Sequence, residues 1–117
     1  MSSKIHIEDR HLKILMSILQ KYDYSFYLFG SRVTNQTKPF SDIDLCYTEN
    51  IPSNVLNSLE EDFEESDLPY TVDLVNYNRC DASFKKLIRA QYVCLQRSSR
   101  RKDNTLDGDT SNQDNEA

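Results

Sequence analysis

The sequence predicts a small α/β (α+β) domain in which helices pack against a mixed three-stranded sheet. Three short apolar runs, at about residues 25–29, 43–47 and 71–75, have the composition of strands. Apolar residues at helical spacing precede, separate and follow these runs. A chain of 117 residues has room for one such domain and one functional surface.

Three segments show helical periodicity, at about 8–21, 52–66 and from Asp81 onward. Asp81 is a good N-cap for the last helix, whose apolar stripe we expect to run to Leu95 and to close the core. The apolar residues of the three stripes are Leu12, Leu15, Met16 and Leu19, then Val55, Leu56, Leu59 and Phe63, then Phe84, Leu87, Ile88 and Leu95. The second helix is strongly acidic, which predicts a solvated face or, less simply, a surface for a basic partner.

Residues 97–117 are polar and show no apolar periodicity, so they predict a disordered tail that follows a folded domain at 1–96. Cys46, Cys80 and Cys94 lack the spacing of a zinc site and predict small buried residues. His6 and His11 have no neighbours at metal-ligand spacing, which favours surface or capping roles.

Composition also limits the partners. The formal net charge of −5 makes nucleic acid an unexpected main ligand, because proteins that bind polyanions carry basic surfaces. Neither a signal peptide nor an apolar run of membrane-spanning length is visible, so we expect no membrane association and a cytoplasmic location.

The first candidate site lies where the strand ending at Phe29 meets Gly30 and Ser31, which open a short helix predicted at about 31–35. Backbone N–H groups at a helix start lack partners in the first turn, and they bind phosphate well. Gly30 allows a close approach because it has no Cβ, and it tolerates positive φ. Taken alone, the pair is also consistent with an ordinary turn and a serine cap.

Asp42 and Asp44 follow eleven and thirteen residues after Ser31, at the start of the second strand. Residues two apart on a strand share a face, so both carboxylates can reach one pair of metal ions. Mg²⁺ prefers carboxylate and phosphate oxygens. This stretch therefore predicts a phosphate cradle beside a metal site.

Asp73 stands in the interior of the third strand, where aspartate is disfavoured and needs a metal, a cation or solvent. If that strand neighbours the second, Asp73 completes a three-carboxylate site. The alternative is an edge-strand aspartate that faces water. Arg32 and Lys38 are candidates for phosphate contacts, with solvated side chains as an equal alternative.

Together, these motifs resemble the minimal nucleotidyltransferase (MNT) branch of the DNA polymerase β-type nucleotidyltransferase superfamily. The resemblance is carried by Gly30-Ser31, by 41–45 with its two aspartates, and by 65–75 with Asp73, and it covers about residues 5–96. Its departures from the commonest family pattern are Asn35, where glycine is frequent, and Phe40, where an acidic residue is frequent.

The resemblance implies nucleotidyl transfer, in which a hydroxyl attacks the α-phosphate of a nucleoside triphosphate held with two Mg²⁺ ions. Asp42, Asp44 and Asp73 would hold the metals, and Gly30 and Ser31 would cradle the phosphates. Single-domain MNT proteins are typically encoded beside a small helical HEPN protein and act as its antitoxin. The implied reaction moves AMP from ATP to a tyrosine of the HEPN toxin.

Two other functions remain open at this point. One is a non-catalytic binding protein that neutralises or supports a HEPN partner by contact, through the acidic helix or the tail. The presence of all three aspartates weighs against it. A small-molecule adenylyltransferase is the weaker alternative, because no acceptor-binding domain is present.

Overall fold

The structure, a computed structural model, describes residues 5–34, 42–101 and 106. Within these residues, three α-helices and four strands follow one another, with single turns of 3₁₀ helix after β1 and after β3. The elements in order are α1 (Asp9–Leu19), β1 (Phe26–Phe29), the 3₁₀ turn Gly30–Arg32, β2 (Ile43–Tyr47), α2 (Ser53–Glu65), β3 (Val72–Asn76), the 3₁₀ turn Tyr77–Arg79, α3 (Ala82–Ala90) and β4 (Tyr92–Gln96). None of the helices in these described ranges is long and apolar enough to cross a membrane.

The four strands form one mixed sheet in the order β3-β2-β1-β4. β1 runs antiparallel to both β2 and β4, whereas β2 and β3 are parallel. Parallel neighbours need a crossover connection, and α2 supplies it between β2 and β3. The predicted mixed sheet is thus confirmed, and β3 is one of its edges.

The predicted strand number was wrong, because the segment that ends at Gln96 is a strand and not part of the last helix. α3 ends at Ala90, and Leu95 lies in β4 beside β1. Leu95 stands seven residues after Ile88, which matches helical spacing by coincidence. The run of Tyr92, Val93 and Cys94 is better suited to a pleated strand than to a helix.

Side chains alternate between the two faces of the sheet and build two apolar clusters. The larger cluster lies under α1 and α2, and its most buried members are Leu15, Leu19, Phe26, Leu28, Ile43, Leu45 and Leu59. The smaller cluster lies on the α3 face and consists of Tyr27, Phe29, Cys46, Tyr77, Ile88 and Leu106. The central strand β1 is therefore covered on both faces, as its all-apolar sequence predicts.

Burial of His11 contradicts its predicted surface or capping role. The side chain lies within α1, and its Nδ1 atom is 3.1 Å from the hydroxyl oxygen of Tyr70. The two rings also meet edge to face with centroids 5.2 Å apart. Tyr70 is distant in sequence, so only the folded chain brings this partner to His11.

Residues 97–101 pack on the domain although the sequence assigned them to the tail. The backbone N–H of Ser98 donates to Oγ of Ser25 at 2.9 Å, and its hydroxyl donates to Glu49 at 2.8 Å. The backbone N–H and the hydroxyl of Ser99 both donate to the carboxylate of Asp23. Ordered packing thus reaches Arg101, and of the later residues Leu106 alone is described.

Candidate active site

The turn after β1 brings Gly30 against the carboxylate of Asp44. Gly30 has φ +84°, and a Cβ built on it would lie 2.5 Å from Oδ2 of Asp44. The N–H groups of Val33 and Thr34 both donate to its carbonyl, at 3.0 and 3.2 Å. The helical turn predicted at 31–35 is thus a 3₁₀ turn at Gly30–Arg32, and residue 35 lies outside the described residues. Glycine is required here by both backbone conformation and space.

The parallel pairing of β2 and β3 places Asp44 directly opposite Asp73. Asp44 also pairs with Phe29 of β1, so Phe29, Asp44 and Asp73 form a row across three neighbouring strands. Asp73 is exposed because β3 is an edge strand. As predicted, β2 and β3 are neighbours in the sheet, and Asp44 and Asp73 lie on the same face of it.

Asp42 lies just before β2 and is exposed, whereas Asp44 is partly buried within the strand. The pKa of Asp44 is raised to about 6, mainly by burial and in addition by the negative charges of Asp73 and Asp42. The protein therefore holds a carboxylate at neutral pH in a place where its charge is costly. A cation bound between these side chains would relieve that repulsion.

The donor chemistry of this row suits Mg²⁺, since carboxylate oxygens are the ligands that the ion prefers. Within the described part of the chain, however, no group of three or more His, Cys, Asp or Glu side chains lies close enough to hold a metal ion. The facing pair is Asp44 and Asp73, with Asp42 two residues before Asp44. The metal site formed by three carboxylates therefore stays a prediction. In that prediction, the phosphates of a bound nucleotide supply further ligands to the metal.

A cavity of about 500 Å³ opens beside this row at the β3 edge of the sheet. Of the predicted site residues, Gly30, Asp44 and Asp73 line it, whereas Ser31 and Asp42 do not. Its full lining is Phe29, Gly30, Asp44, Glu60, Val72, Asp73, Leu74, Val75, Phe84 and Leu87. The volume falls within the range of small-molecule sites.

Phe84, Leu87 and Glu60 were not predicted to belong to the site. The sequence placed Phe84 and Leu87 in a buried stripe, but they are 38% and 65% exposed, and only Ile88 of α3 is buried. The expectation that α3 closes the core with its whole stripe was therefore wrong. No pattern in the sequence separates a stripe that faces the core from one that lines a cavity.

Arg32 does not point to this cavity. Its side chain is 4% exposed, its Nη1 donates to the carbonyl of His6 at 3.1 Å, and its guanidinium lies 4.2 Å from the centre of the Tyr70 ring. These contacts leave little of Arg32 accessible to a phosphate or to solvent. The structure therefore agrees with neither predicted role of Arg32, the phosphate contact or the solvated side chain. Lys38 lies outside the described residues.

Comparison with known sequences identifies the domain. The pattern of the family described as "Polymerase beta, Nucleotidyltransferase" matches residues 13–101, which is most of the chain. The chain belongs to the polymerase beta nucleotidyltransferase family. Within known proteins, it is 38% identical over 98 residues to the "Probable protein adenylyltransferase MntA" of Haemophilus influenzae (strain KW20/Rd). That match covers 80% of this chain and 86% of the relative, and it supports the predicted MNT branch.

Two solved structures share the nucleotidyltransferase fold. One is a toxin–antitoxin crystal structure with AMP-PNP, with a TM-score of 0.58 and 20% identity over 75% of this chain and 74% of that chain. The other is a tri-AMPylated Shewanella oneidensis HEPN toxin in complex with MNT antitoxin, with a TM-score of 0.54 and 18% identity. It covers 79% of this chain and 74% of that chain. At these identities the likeness concerns the fold, which is polymerase beta-like.

Proposed function

We propose that this nucleotidyltransferase is a Mg²⁺-dependent protein adenylyltransferase and the antitoxin of a HEPN partner. It moves AMP from ATP to a tyrosine hydroxyl of that partner. The observation that carries the proposal is the pairing of Asp44 with Asp73 beside Gly30, in one cavity. The MntA relative and the two toxin–antitoxin structures support ATP as the donor and a HEPN protein as the acceptor.

In the proposed reaction, the hydroxyl oxygen of the acceptor forms a bond to the α-phosphorus of ATP. The bond from that phosphorus to the oxygen bridging to the β-phosphate breaks, and pyrophosphate leaves with the electron pair. When bound, Mg²⁺ would supply charge stabilisation for the reacting phosphoryl group. Asp42 and Asp44 would hold the ion.

Asp73 acts on the acceptor side, since it is the exposed carboxylate of the pair and lies at the open edge of the sheet. It orients the acceptor hydroxyl and draws its proton away as the new bond forms. Gly30 and Ser31 cradle the β- and γ-phosphates through backbone N–H groups. ATP as donor agrees with the predicted cytoplasmic location.

The direct test is label transfer from α-labelled ATP, with Mg²⁺ and the HEPN protein encoded beside this chain. Asp44→Asn and Asp73→Asn remove charge at nearly constant volume, so each should lower transfer at least 100-fold while the fold persists. Asp67→Asn is the matched control, because Asp67 is exposed and lies outside the cavity. It should transfer AMP at the native rate.

The same variants separate catalysis from neutralisation by contact. If the chain acts by transfer, Asp44→Asn should fail to protect cells from the toxin at matched expression. Full protection by Asp44→Asn combined with Asp73→Asn would favour the binding-protein alternative. Label found on small hydroxyl compounds but not on the HEPN protein would favour the small-molecule alternative.

A further inference from the structure

The outer side of β3 has unpaired backbone groups. β3 lies at an edge of the sheet, and its other side pairs with β2, where the N–H of Ile43 donates to the carbonyl of Thr71 at 2.9 Å. Backbone groups of alternate residues in a strand point to opposite sides, so those of Val72 and Leu74 point away from β2. No described residue hydrogen-bonds to these outward groups. Such an edge can pair with another strand.

Two cavities lie along this edge. The first is the cavity of about 500 Å³ at the candidate active site, and residues 72–75 line it. The second has a volume of about 550 Å³, and residues 68–72 line it. Val72 and Glu60 line both cavities, so the two adjoin there. The consecutive residues 68–75 therefore border one groove, which we call the edge groove, with a length of roughly 25 Å at the rise of an extended chain.

Helices on both faces of the sheet contribute to the first cavity. Glu60 belongs to α2 on one face, whereas Phe84 and Leu87 belong to α3 on the other. A cavity that touches β3 and both of these helices extends around the edge of the strand and is not confined to one face. The outward backbone groups of Val72 and Leu74 therefore face the edge groove.

All described charged residues that line the edge groove are acidic, namely Asp44, Glu60, Glu64 and Asp73. Asp44 and Asp73 belong to the proposed metal site, but Glu60 and Glu64 have no role in the proposed reaction. Both glutamates are exposed, and neither forms an ion pair with a described residue. They lie one turn apart on α2, where like charges repel each other. An occupant with Lys or Arg side chains relieves this repulsion.

Charge also disfavours two occupants from this chain itself. A second copy would bring its own Glu60 and Asp73 against those of the first, in a chain with a formal net charge of −5. The C-terminal residues 107–117 contain no basic residue, and their acidic residues are Asp107, Asp109, Asp114 and Glu116. A basic segment of another protein is the occupant that the charges of the groove favour.

We propose that the edge groove binds an extended basic segment of the acceptor protein, which pairs with β3 as an added strand. The backbone of that segment hydrogen-bonds to the outward groups of Val72 and Leu74, and its Lys or Arg side chains lie against Glu60 and Glu64. Main-chain pairing of this kind holds an extended segment in one register. A hydroxyl of the segment is thereby positioned beside Asp73 for attack. This inference rests on the proposed function for the identity of the acceptor, the HEPN protein.

Hydrogen exchange at single amides tests the added strand, in the full chain with and without the purified HEPN protein. The amides of Asp73 and Val75 point to β2, so they should be protected in both samples. The amides of Val72 and Leu74 should exchange freely in the chain alone and at least tenfold more slowly in the complex. Docking at another surface leaves these two amides unchanged. A complex in which Val72 and Leu74 gain no protection overturns the proposal.

Glu64→Lys tests the charge of the occupant. Glu64 is exposed and lines only the second of the two cavities, so the fold and the affinity for a non-hydrolysable ATP analogue should stay native. Affinity for the HEPN protein, measured by calorimetry, should fall about tenfold, because the change replaces attraction with repulsion. Glu61→Lys is the matched control, since Glu61 is exposed on the same helix and lines neither cavity. Equal weakening by both variants, or native binding by Glu64→Lys, contradicts a basic occupant.

The remaining outcomes separate failure of the edge groove from failure of the proposed function. Protection of Val72 and Leu74 in the chain alone would assign the groove to a second copy or to another segment of this chain, and it would overturn the inference. Asp44→Asn should give the same protection in the complex and yet transfer no AMP. Native transfer by Asp44→Asn contradicts the proposed reaction, whereas the exchange data still decide where the acceptor binds. If the native chain forms no complex with the HEPN protein, the proposed partner is wrong and the inference fails with it.

Discussion

Oδ2 of Asp44 occupies the space that a side chain at Gly30 would need, at 2.5 Å from the position of its Cβ. This relationship ties the turn proposed to hold phosphates to the carboxylate proposed to hold metal. Gly30 and Asp44 are fourteen residues apart in the sequence, and the antiparallel pairing of Phe29 with Asp44 brings them together. A change at one residue must therefore alter the other.

We predict that Gly30→Ala impairs both stability and transfer. An alanine at φ +84° costs about 1–2 kcal/mol, because its Cβ crowds the backbone in the left-handed region. The carboxylate of Asp44 must also turn away from the new methyl group, so transfer should fall at least tenfold. Urea unfolding and label transfer measure the two effects.

The same substitution in an Asp44→Ala background separates these contributions. Without Oδ2, the crowding disappears and only the backbone cost remains, so Gly30→Ala should destabilise the protein less there. An equal loss of stability in both backgrounds contradicts the proposed contact.

Asp44 should make the folded protein less stable as the pH rises. Its pKa is raised from 3.8 to about 6, so between these values the folded chain keeps a proton that the unfolded chain has lost. The free energy of unfolding therefore falls as pH rises through this window. At pH 7, Asp44→Asn should be more stable by about 1 kcal/mol, after a discount for solvent screening at a partly buried site. Below pH 4 the advantage should vanish.

Asp23 provides a control of opposite sign. The hydroxyl and backbone N–H of Ser99 donate to its carboxylate and lower its pKa. This group stabilises the fold above its unfolded pKa, and the contribution is lost as the pH falls. Asp23→Asn should thus be less stable than the native chain at pH 7. Thermal unfolding of both variants from pH 3.5 to 7.5 checks the signs, and parallel curves would contradict both assignments.

The sequence was sufficient to predict which residues lie near one another where those residues are close in the chain or follow a simple period. Gly30 directly follows β1, Asp42 directly precedes β2, and Asp44 lies within β2. The two-residue period of a strand predicts which face of the sheet Asp44 occupies. Predicting the position of Asp73 also required that β3 lie beside β2. A helix between the two strands favours this arrangement, because parallel neighbours need a crossover connection.

Features that depend on distant partners could not be predicted. The burial of Arg32 is possible only because the carbonyl of His6 and the ring of Tyr70 surround its guanidinium. β4 was missed because no glycine or proline separates it from α3, and Leu95 continues the helical spacing of Ile88. After α3, the residue types favour a strand, whereas the spacing of Leu95 from Ile88 favours a helix. Hydrogen bonding to β1 stabilises the strand.

Arg32 should act on stability and not on nucleotide affinity. Arg32→Lys loses the planar stacking on Tyr70 and the geometry of the bond to the His6 carbonyl, so we expect a loss of about 1–3 kcal/mol. Urea unfolding measures this loss, and calorimetry with a non-hydrolysable ATP analogue should give native affinity. Tyr70→Leu should share part of the same loss, so the two changes should not add. A tenfold drop in nucleotide affinity at native stability would instead restore the phosphate contact.

The start of the predicted tail should be protected from hydrogen exchange in the full chain. The backbone N–H of Ser98 donates to Ser25 at 2.9 Å, and that of Ser99 donates to Asp23 at 2.8 Å. Amides with such partners exchange only when the local structure opens. We expect both to exchange at least tenfold more slowly than in an unfolded peptide of the same sequence.

Single substitutions assign that protection to its partners. Asp23→Asn should accelerate exchange at Ser99 more than at Ser98, because it weakens only the acceptor of the Ser99 amide. Ser25→Ala should do the reverse, since it removes the Oγ that accepts from Ser98. If both amides exchange at the unfolded rate in the native chain, the folded domain ends at the predicted residue 96 after all. If they are protected, the ordered domain includes Ser98 and Ser99, because a disordered chain has no structure that must open before exchange.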